Sequence, residues 1–354
     1  MTRPSMTPRA RVLAVLHGEP TDKIPFTIYE SKIPQCPAER QLRNDGLCIV
    51  ERGVAAVTTE RPNVRVEVRR YTEDGIDLVR TDYHTPVGDL FEVSRPADFT
   101  SWNVARLFKT PADYQPLRFL VQDEAYSPNY EEFARAERAK GEDVILRAGV
   151  GGTPLHTIMV HWMGLETFAT EWYERRDEVL KLYQAMVEKK RELYPLVAQS
   201  PATHANYGGN EVPEVMGVER FEQYVLPHYQ EAAAAFHRHG KLLGAHLDGD
   251  NKPWAHLVAR SALDYVEAFT PAPNSDMTLA EALAAWPEKV LWIHFPSSIQ
   301  LASIARVEEV TRDLIAQAGD SGRLIMGITE DMPEDRWQEN LLAIMRVINE
   351  MADA

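Results

Sequence analysis

From residue 143 onward, short β-rich runs alternate with helical segments, and this alternation constrains the fold more than any other feature. The runs are DVILRAGV (143–150), PATHANYG (201–208), KLLGAHLD (241–248), LDYVEAFT (263–270), VLWIHFP (290–296) and RLIMGITE (323–330). Helical periodicity fills 164–198, 218–239, 252–260, 278–286, 304–318 and 333–352. Strands followed each time by a helix are βαβ units with parallel crossovers. Two more strands are expected upstream, IPFTIYE (24–30) and a weaker apolar stretch around Val54–Val57. Eight such units close a (β/α)8 TIM barrel, which needs about 250 residues. The surplus of the 354-residue chain falls at 60–142. There, residues 64–93 alternate at period two around Asp74-Gly75, the pattern of a β-hairpin or small meander. Residues 110–140 read as a helical excursion. The expectation is one α/β barrel domain over 1–354 carrying a helical and β-hairpin insertion.

Charge narrows the partners. The chain has 38 Lys and Arg against 53 Asp and Glu, a net −15 with no basic block. Phosphate backbones and anionic membrane surfaces need clustered cations, so neither nucleic acid nor membrane is an expected partner. No apolar run reaches the roughly 20 residues that span a bilayer. The start, MTRPSMTPRARVLAVLHGEP, is too charged for a secretory signal and reads as a helix capped by Thr7 with Pro8 in its first turn. The only cysteines, Cys36 and Cys48, form no CxxC. They offer no disulfide framework and no thiolate zinc cluster, and they suit a reducing, cytoplasmic setting. The oligomeric state is open, a homodimer included.

In α/β barrels chemistry collects at the carboxyl ends of the strands. Here those ends carry Glu30; Gly151, Gly152 and His156; Asn206, Tyr207 and Asn210; His246 and Asp248; Glu267 and Thr270; His294, Ser297 and Ser298; and Thr329, Glu330 and Asp331. His246 and Asp248, two residues apart where a buried strand leaves the sheet, can share a metal or a proton. Asp331, Ser298 and Asn210 are expected to cap helices. Gly151-Gly152 either permit a tight turn or present bare amides to an anion. Glu267 faces the site or is paired within its strand. Glu30 faces the site or pairs with Lys32. His156, His161, His237 and His239 are expected to pack or sit at the surface.

Four segments resemble the uroporphyrinogen decarboxylase superfamily, in order and over nearly the whole length. They are TPRARVLAVLHGEPTDKIPF near the start, TPVGDL (85–90), VERFEQYVLPHYQEAAAAFHRHGKLLGAHLDGD (218–250) and ITEDMPEDRWQEN (328–340). The resemblance implies a (β/α)8 barrel with its pocket at the carboxyl rim, and one of two chemistries. Its decarboxylases carry an arginine-rich loop of the form RQAGRY, whereas this chain reads SKIPQCPAERQLRNDG with only Arg40 and Arg43. Its methyltransferases carry His-x-Cys-Gly after the central strand and a later cysteine, which together bind zinc. This chain keeps His246 and Gly249, places Asp248 at the cysteine position, and has Met326 or a neighbour in place of the second cysteine. Nitrogen and carboxylate oxygen suffice for zinc or another divalent ion, so His246, Asp248 and with them Glu330 are the candidate metal ligands; equally, the site holds no metal and His246 and Asp248 act as acid and base.

The tract YESKIPQCPAERQLRNDGLCIV also resembles superfamily members that remove methyl groups with a corrinoid. The expected function is therefore transfer of a methyl group from a small methoxylated or methylated substrate to a separate corrinoid protein. His246 and Asp248 would be catalytic, with Glu30, Asn206, Tyr207, His294 and Glu330 binding substrate. Tyr29, Tyr207 and Phe295 could pack an aromatic substrate or simply fill the core. No corrinoid-binding Asp-x-His-x-x-Gly loop occurs in the chain. Decarboxylation of a small carboxylated substrate and a non-catalytic ligand-binding barrel are the alternatives.

Overall fold

The computed structural model describes residues 6–97 and 100–352. In chain order its strands are β1 (Phe26–Tyr29), β2 (Leu47–Glu51), β3 (Val57–Glu60), β4 (Arg65–Glu73), β5 (Ile76–Thr85), β6 (Gly88–Ala97), β7 (Thr100–Ala105) and β8 (Ala125–Pro128). Then follow β9 (Val144–Leu146), β10 (Ala148–Gly151), β11 (His204–Tyr207), β12 (Leu242–His246), β13 (Tyr265–Phe269), β14 (Val290–His294) and β15 (Leu324–Ile328). The chain divides into two compact units. One holds the residues up to Ala56, Asn129–Gly151 and everything from Val197 onward; the other holds Val57–Pro128 and Gly152–Leu196.

The first unit is the barrel. Its nine strands pair in the order β10-β11-β12-β13-β14-β15-β1-β2-β9, all parallel. The two ends of that order, β9 and β10, belong to one run broken only at Arg147. Its first half pairs with β2 and its second half with β11, so eight runs close the sheet on itself. All six C-terminal strands and β1 lie where the sequence places them. The second strand does not: it is the apolar run LCIVE after Asp45-Gly46, not the stretch around Val54–Val57. Val57 opens β3, in the other unit.

The barrel interior alternates bulky and small positions. Tyr29, Cys48, Val50, Ile145, Tyr265, Val290, Trp292 and Ile325 form one buried cluster, closed from below by Val12, Val15 and Leu16 of the helix Pro8–Leu16. That helix is capped as expected, with Thr7 Oγ1 accepting from Ala10 N at 3.2 Å. Gly244 and Gly327 make room for the two largest rings. A Cβ on Gly244 would run into the Tyr265 ring, and one on Gly327 would meet Ile293 O at 2.8 Å and Trp292 Nε1 at 3.2 Å.

In the second unit, β4–β7 form a four-stranded antiparallel meander, and β3 pairs antiparallel with β8. The β4–β5 turn is Asp74-Gly75, with φ +50° and +77°. These are the left-handed values that a two-residue type I′ turn demands. The expected insertion at 60–142 is thus a full meander, and its helical part is interrupted by β8 between the helices Tyr114–Gln122 and Tyr130–Ala139. The latter helix belongs to the barrel unit. Among the described residues no helix is long and apolar enough to cross a membrane.

Gly244→Ala is expected to lower stability by about 1–3 kcal/mol, the usual cost of overpacking a filled core. A fall in the urea midpoint at unchanged slope would show it; an unchanged midpoint would mean that Tyr265 yields without strain.

Candidate functional site

The site is built on one buried carboxylate. Glu267 lies in β13, directly opposite His246 of β12 in the strand register, and is fully buried. Period two would send the residue two positions on, Phe269, into the barrel as well. A bulge prevents it: the register shifts between Glu267 and Phe269, and Ala268 adopts φ +58°. Phe269 then turns outward and packs edge-on against Trp286, 5.5 Å between centroids.

Four donors converge on Glu267. Its Oε1 accepts from Arg147 Nη1 at 2.6 Å and from the Tyr29 hydroxyl; its Oε2 accepts from Asn206 Nδ2 at 3.0 Å and contacts His246 Nδ1 at 2.7 Å. Asn206 is itself aligned by the Tyr265 hydroxyl, which donates to its Oδ1 at 2.6 Å. Burial pushes the Glu267 carboxyl up, but Arg147 and His246 outweigh it and hold the group well below the ordinary carboxylate range. Burial likewise works to lower His246, and Glu267 and Asp248 overcome it, holding the imidazole up at about 10.

With Nδ1 committed to Glu267, His246 presents Nε2 to the rim. Asp248 Oδ2 lies 3.5 Å from it and Glu330 Oε1 3.8 Å. His246 Nε2 and Asp248 Oδ1 are buried and lack a hydrogen-bond partner. One nitrogen of His246 and one oxygen each of Asp248 and Glu330 fall within 4.8 Å of one another. A histidine whose far nitrogen is anchored on a carboxylate is oriented as metal-bound histidines are. The charges agree. Arg147 neutralises Glu267, which leaves two carboxylates, Asp248 and Glu330, around one imidazole; a divalent cation that takes the place of the imidazole proton brings that group to neutrality. The residues therefore fit a divalent ion, and the three expected ligands do converge.

The expected substrate-binding residues fare differently. Tyr207 is fully buried, and it packs edge-on against Tyr229 of the helix Leu226–His237, 5.8 Å away. It follows Asn206, which faces inward, so strand alternation sends it out of the barrel and away from any substrate held inside, contrary to its expected role. Asn206 orients Glu267. His294 is 1 % exposed with both nitrogens engaged: Nδ1 accepts from Thr329 N at 3.1 Å, and Nε2 lies 2.8 Å from Ser297 Oγ. Burial, then the charge of His246, lowers it to about 4, so it is neutral and braces the loop that carries Glu330. Glu30 pairs with Arg52 at 3.2 Å rather than with Lys32, which pairs with Asp331.

The capping roles are also corrected. Asn210, at φ +63°, ties its N–H to His246 O, Ser298 donates to Asn274, and Asp331 takes Lys32. His237 pairs with Asp264 at the surface. Arg147 and Tyr29 are the contacts of Glu267 that the strand-end pattern does not announce, since Tyr29 reads equally as packing for an aromatic substrate or as core. The available signal is an arginine inside the apolar run 144–150 and a glutamate in the middle of the apolar run 265–269. A buried charge demands an opposite one.

No protein-family model matches the chain, and no curated protein matches it. Among similar solved structures, an endo-1,4-β-mannanase from Rhizomucor miehei is 8% identical over 93% of this chain and 94% of its own, with a TM-score of 0.43. A glycoside hydrolase family 5 enzyme from Prevotella bryantii is 13% identical over 62% and 75%, with a TM-score of 0.38. A catalytic module of the pneumococcal exo-β-D-N-acetylglucosaminidase is 10% identical over 93% and 82%, with a TM-score of 0.39. Likenesses at these scores carry no reading of the chemistry.

In metal-free protein the His246 ring should titrate near 10, and Glu267→Gln should bring it down by removing the facing charge. The raised value contributes stability that is complete below the unfolded histidine pKa, about 6.5, and is lost as pH rises through about 10. Histidine-ring NMR titration of both proteins reads the difference; equal titration in the two would remove Glu267 as the cause.

Proposed function

We propose that this protein is the methyltransferase component of a corrinoid-dependent demethylating system, with a divalent metal ion held by His246, Asp248 and Glu330. The observation that carries the reading is the convergence of His246 Nε2 and two carboxylates at the carboxyl rim. His246 Nε2, together with the Oδ1 atom of Asp248, is buried and without a hydrogen-bond partner. These groups stand where the resembled methyltransferases have His-x-Cys-Gly and a later cysteine. Met326, the other candidate for the second cysteine position, is fully buried in β15 and out of reach of the rim. Glu330 supplies the third donor.

Oxygen donors in place of thiolates change what the site suits. Thiolates favour activation of a thiol; two carboxylates and an imidazole favour a harder ligand such as an ether or phenol oxygen. Such an ion would act as a Lewis acid toward the oxygen that keeps the electron pair when its methyl group leaves. The chain's own residues fix the geometry: Glu267 locks the His246 ring, Arg147 keeps Glu267 ionised, and His294 holds the Glu330 loop. The methyl acceptor is a reduced corrinoid on a separate protein, and the leaving oxygen takes up a proton as the carbon–oxygen bond breaks. The site's cations favour this over decarboxylation. Arg147, Arg52 and Lys32 are each already paired with a carboxylate, Glu267, Glu30 and Asp331 respectively.

Elemental analysis should find one divalent ion per chain, lost in His246→Ala and Asp248→Ala and more weakly held in Glu330→Gln. An absence of stoichiometric metal after growth with zinc, manganese and cobalt would remove the metal from the proposal.

Incubation with methoxylated aromatic compounds, a reduced corrinoid protein and the purified chain should yield methylated corrinoid and the free phenol. His246→Ala should lose at least the hundredfold that misplacing a reacting centre costs. Full activity in that variant, or corrinoid-independent release of CO2 from a carboxylated substrate, would overturn the assignment.

A further inference from the structure

In the order β4-β5-β6-β7, β4 is an edge strand, and every one of its nine residues is exposed. An edge this long and uncovered is a template for another chain. β4 has no proline and no bulge, and its charges, Arg65, Glu67, Arg69, Arg70 and Glu73, are of both signs, so they oppose some registers of pairing and favour others. Its exposed valines, Val66 at 48 % and Val68 at 59 %, are residues that favour strand contact. Independently of the reaction catalysed, we propose that β4 is the twofold contact of a homodimer, pairing antiparallel with β4 of a second copy about an axis at Val68.

The backbone sets which residues can bond outward. Glu73 and Ile76 close the two-residue Asp74-Gly75 turn and exchange both hydrogen bonds, so the odd residues of β4 bond to β5. Val66, Val68, Arg70 and Thr72 therefore point their N–H and C=O groups outward. An axis at Val68 pairs Val68 with its own copy and Val66 with Arg70 through those outward groups.

Side chains then select the register. On the closely spaced positions between, Glu67 of one copy faces Arg69 of the other, and Arg65 faces Tyr71. Each pair occurs twice. Moving the axis one residue toward the C-terminus sets Arg69 against Arg69; moving it the other way sets Glu67 against Glu67 and Arg65 against Arg69. An axis at Arg70 sets Arg70 against Arg70 and Glu67 against Glu73. Like charges directly opposite repel, so of the axes that pair seven or more residues of β4 only that at Val68 escapes them; the axes at Val66 and Tyr71 also escape them but pair three and five residues of the strand. The contact is isologous and closes at two copies. Pairing of β4 with the sheet's other edge, β7, would instead leave an edge free and propagate.

Light scattering after size exclusion and sedimentation velocity on the full chain should give twice the 40.1 kDa chain mass at high concentration, dissociating on dilution. Glu67→Arg alone sets arginine against arginine, and Arg69→Glu alone sets glutamate against glutamate, so each variant should be monomeric. Mixing the two restores opposite charges at both positions and should yield a heterodimer, a result that misfolded variants would not give. A wild-type monomer at every concentration would overturn the proposal. So would a dimer that survives either substitution, a mixture that stays monomeric, or a species that grows with concentration beyond two copies.

Discussion

The buried Arg147–Glu267 pair is the interaction on which the rest of the site rests. Arg147 occupies the break between β9 and β10, the point at which the barrel closes, and Glu267 stands on β13 across the interior. Neither charge is tolerable alone at such burial; removing one partner of a buried pair commonly costs about 3–5 kcal/mol because the other is stranded. The pair is embedded rather than isolated, since Tyr29, Asn206 and His246 complete the carboxylate's remaining contacts. Closure of the barrel and orientation of His246 are therefore coupled through a single carboxylate.

The outer half of the site follows from the inner half. Because Glu267 is held ionised, His246 keeps Nδ1 turned inward and has one nitrogen left for the rim. Because His294 is neutral and saturated, the backbone at Thr329 is anchored and Glu330 is delivered on a short tether. The donor set that results is oxygen-rich. Under the proposed demethylation, that donor set is what would direct the site toward methoxyl compounds rather than thiols.

Much of this could be read before the structure, and what could not has a physical reason. Strand–helix alternation placed six of the closing strands and the first, because buried parallel strands leave unmistakable apolar runs. It misplaced β2, whose run LCIVE carries a cysteine and a glutamate and begins directly after a helix-ending turn. His246, Asp248 and Glu330 were visible as strand-end residues, and their convergence follows from the barrel alone. Tyr207 was misjudged by one position of strand parity. Arg147 and Glu267 were each visible as anomalies within apolar runs, but their partnership depends on a barrel radius and register that no local pattern encodes. His294 lies on the expected face, but both its nitrogens are taken by Ser297 and the Thr329 amide, neither predictable from spacing.

The extra residue in β13 has a further consequence. By letting Ala268 take up a left-handed turn, it frees the inner and outer surfaces of that strand from a common phase. Glu267 can answer to the cavity while Phe269 answers to Trp286, and substitution on one side need not propagate to the other. A strand without that slack would tie the identity of its carboxylate to the packing of the helices outside. Here a lineage could recast the lining of the hollow while leaving the wall's outer seam intact.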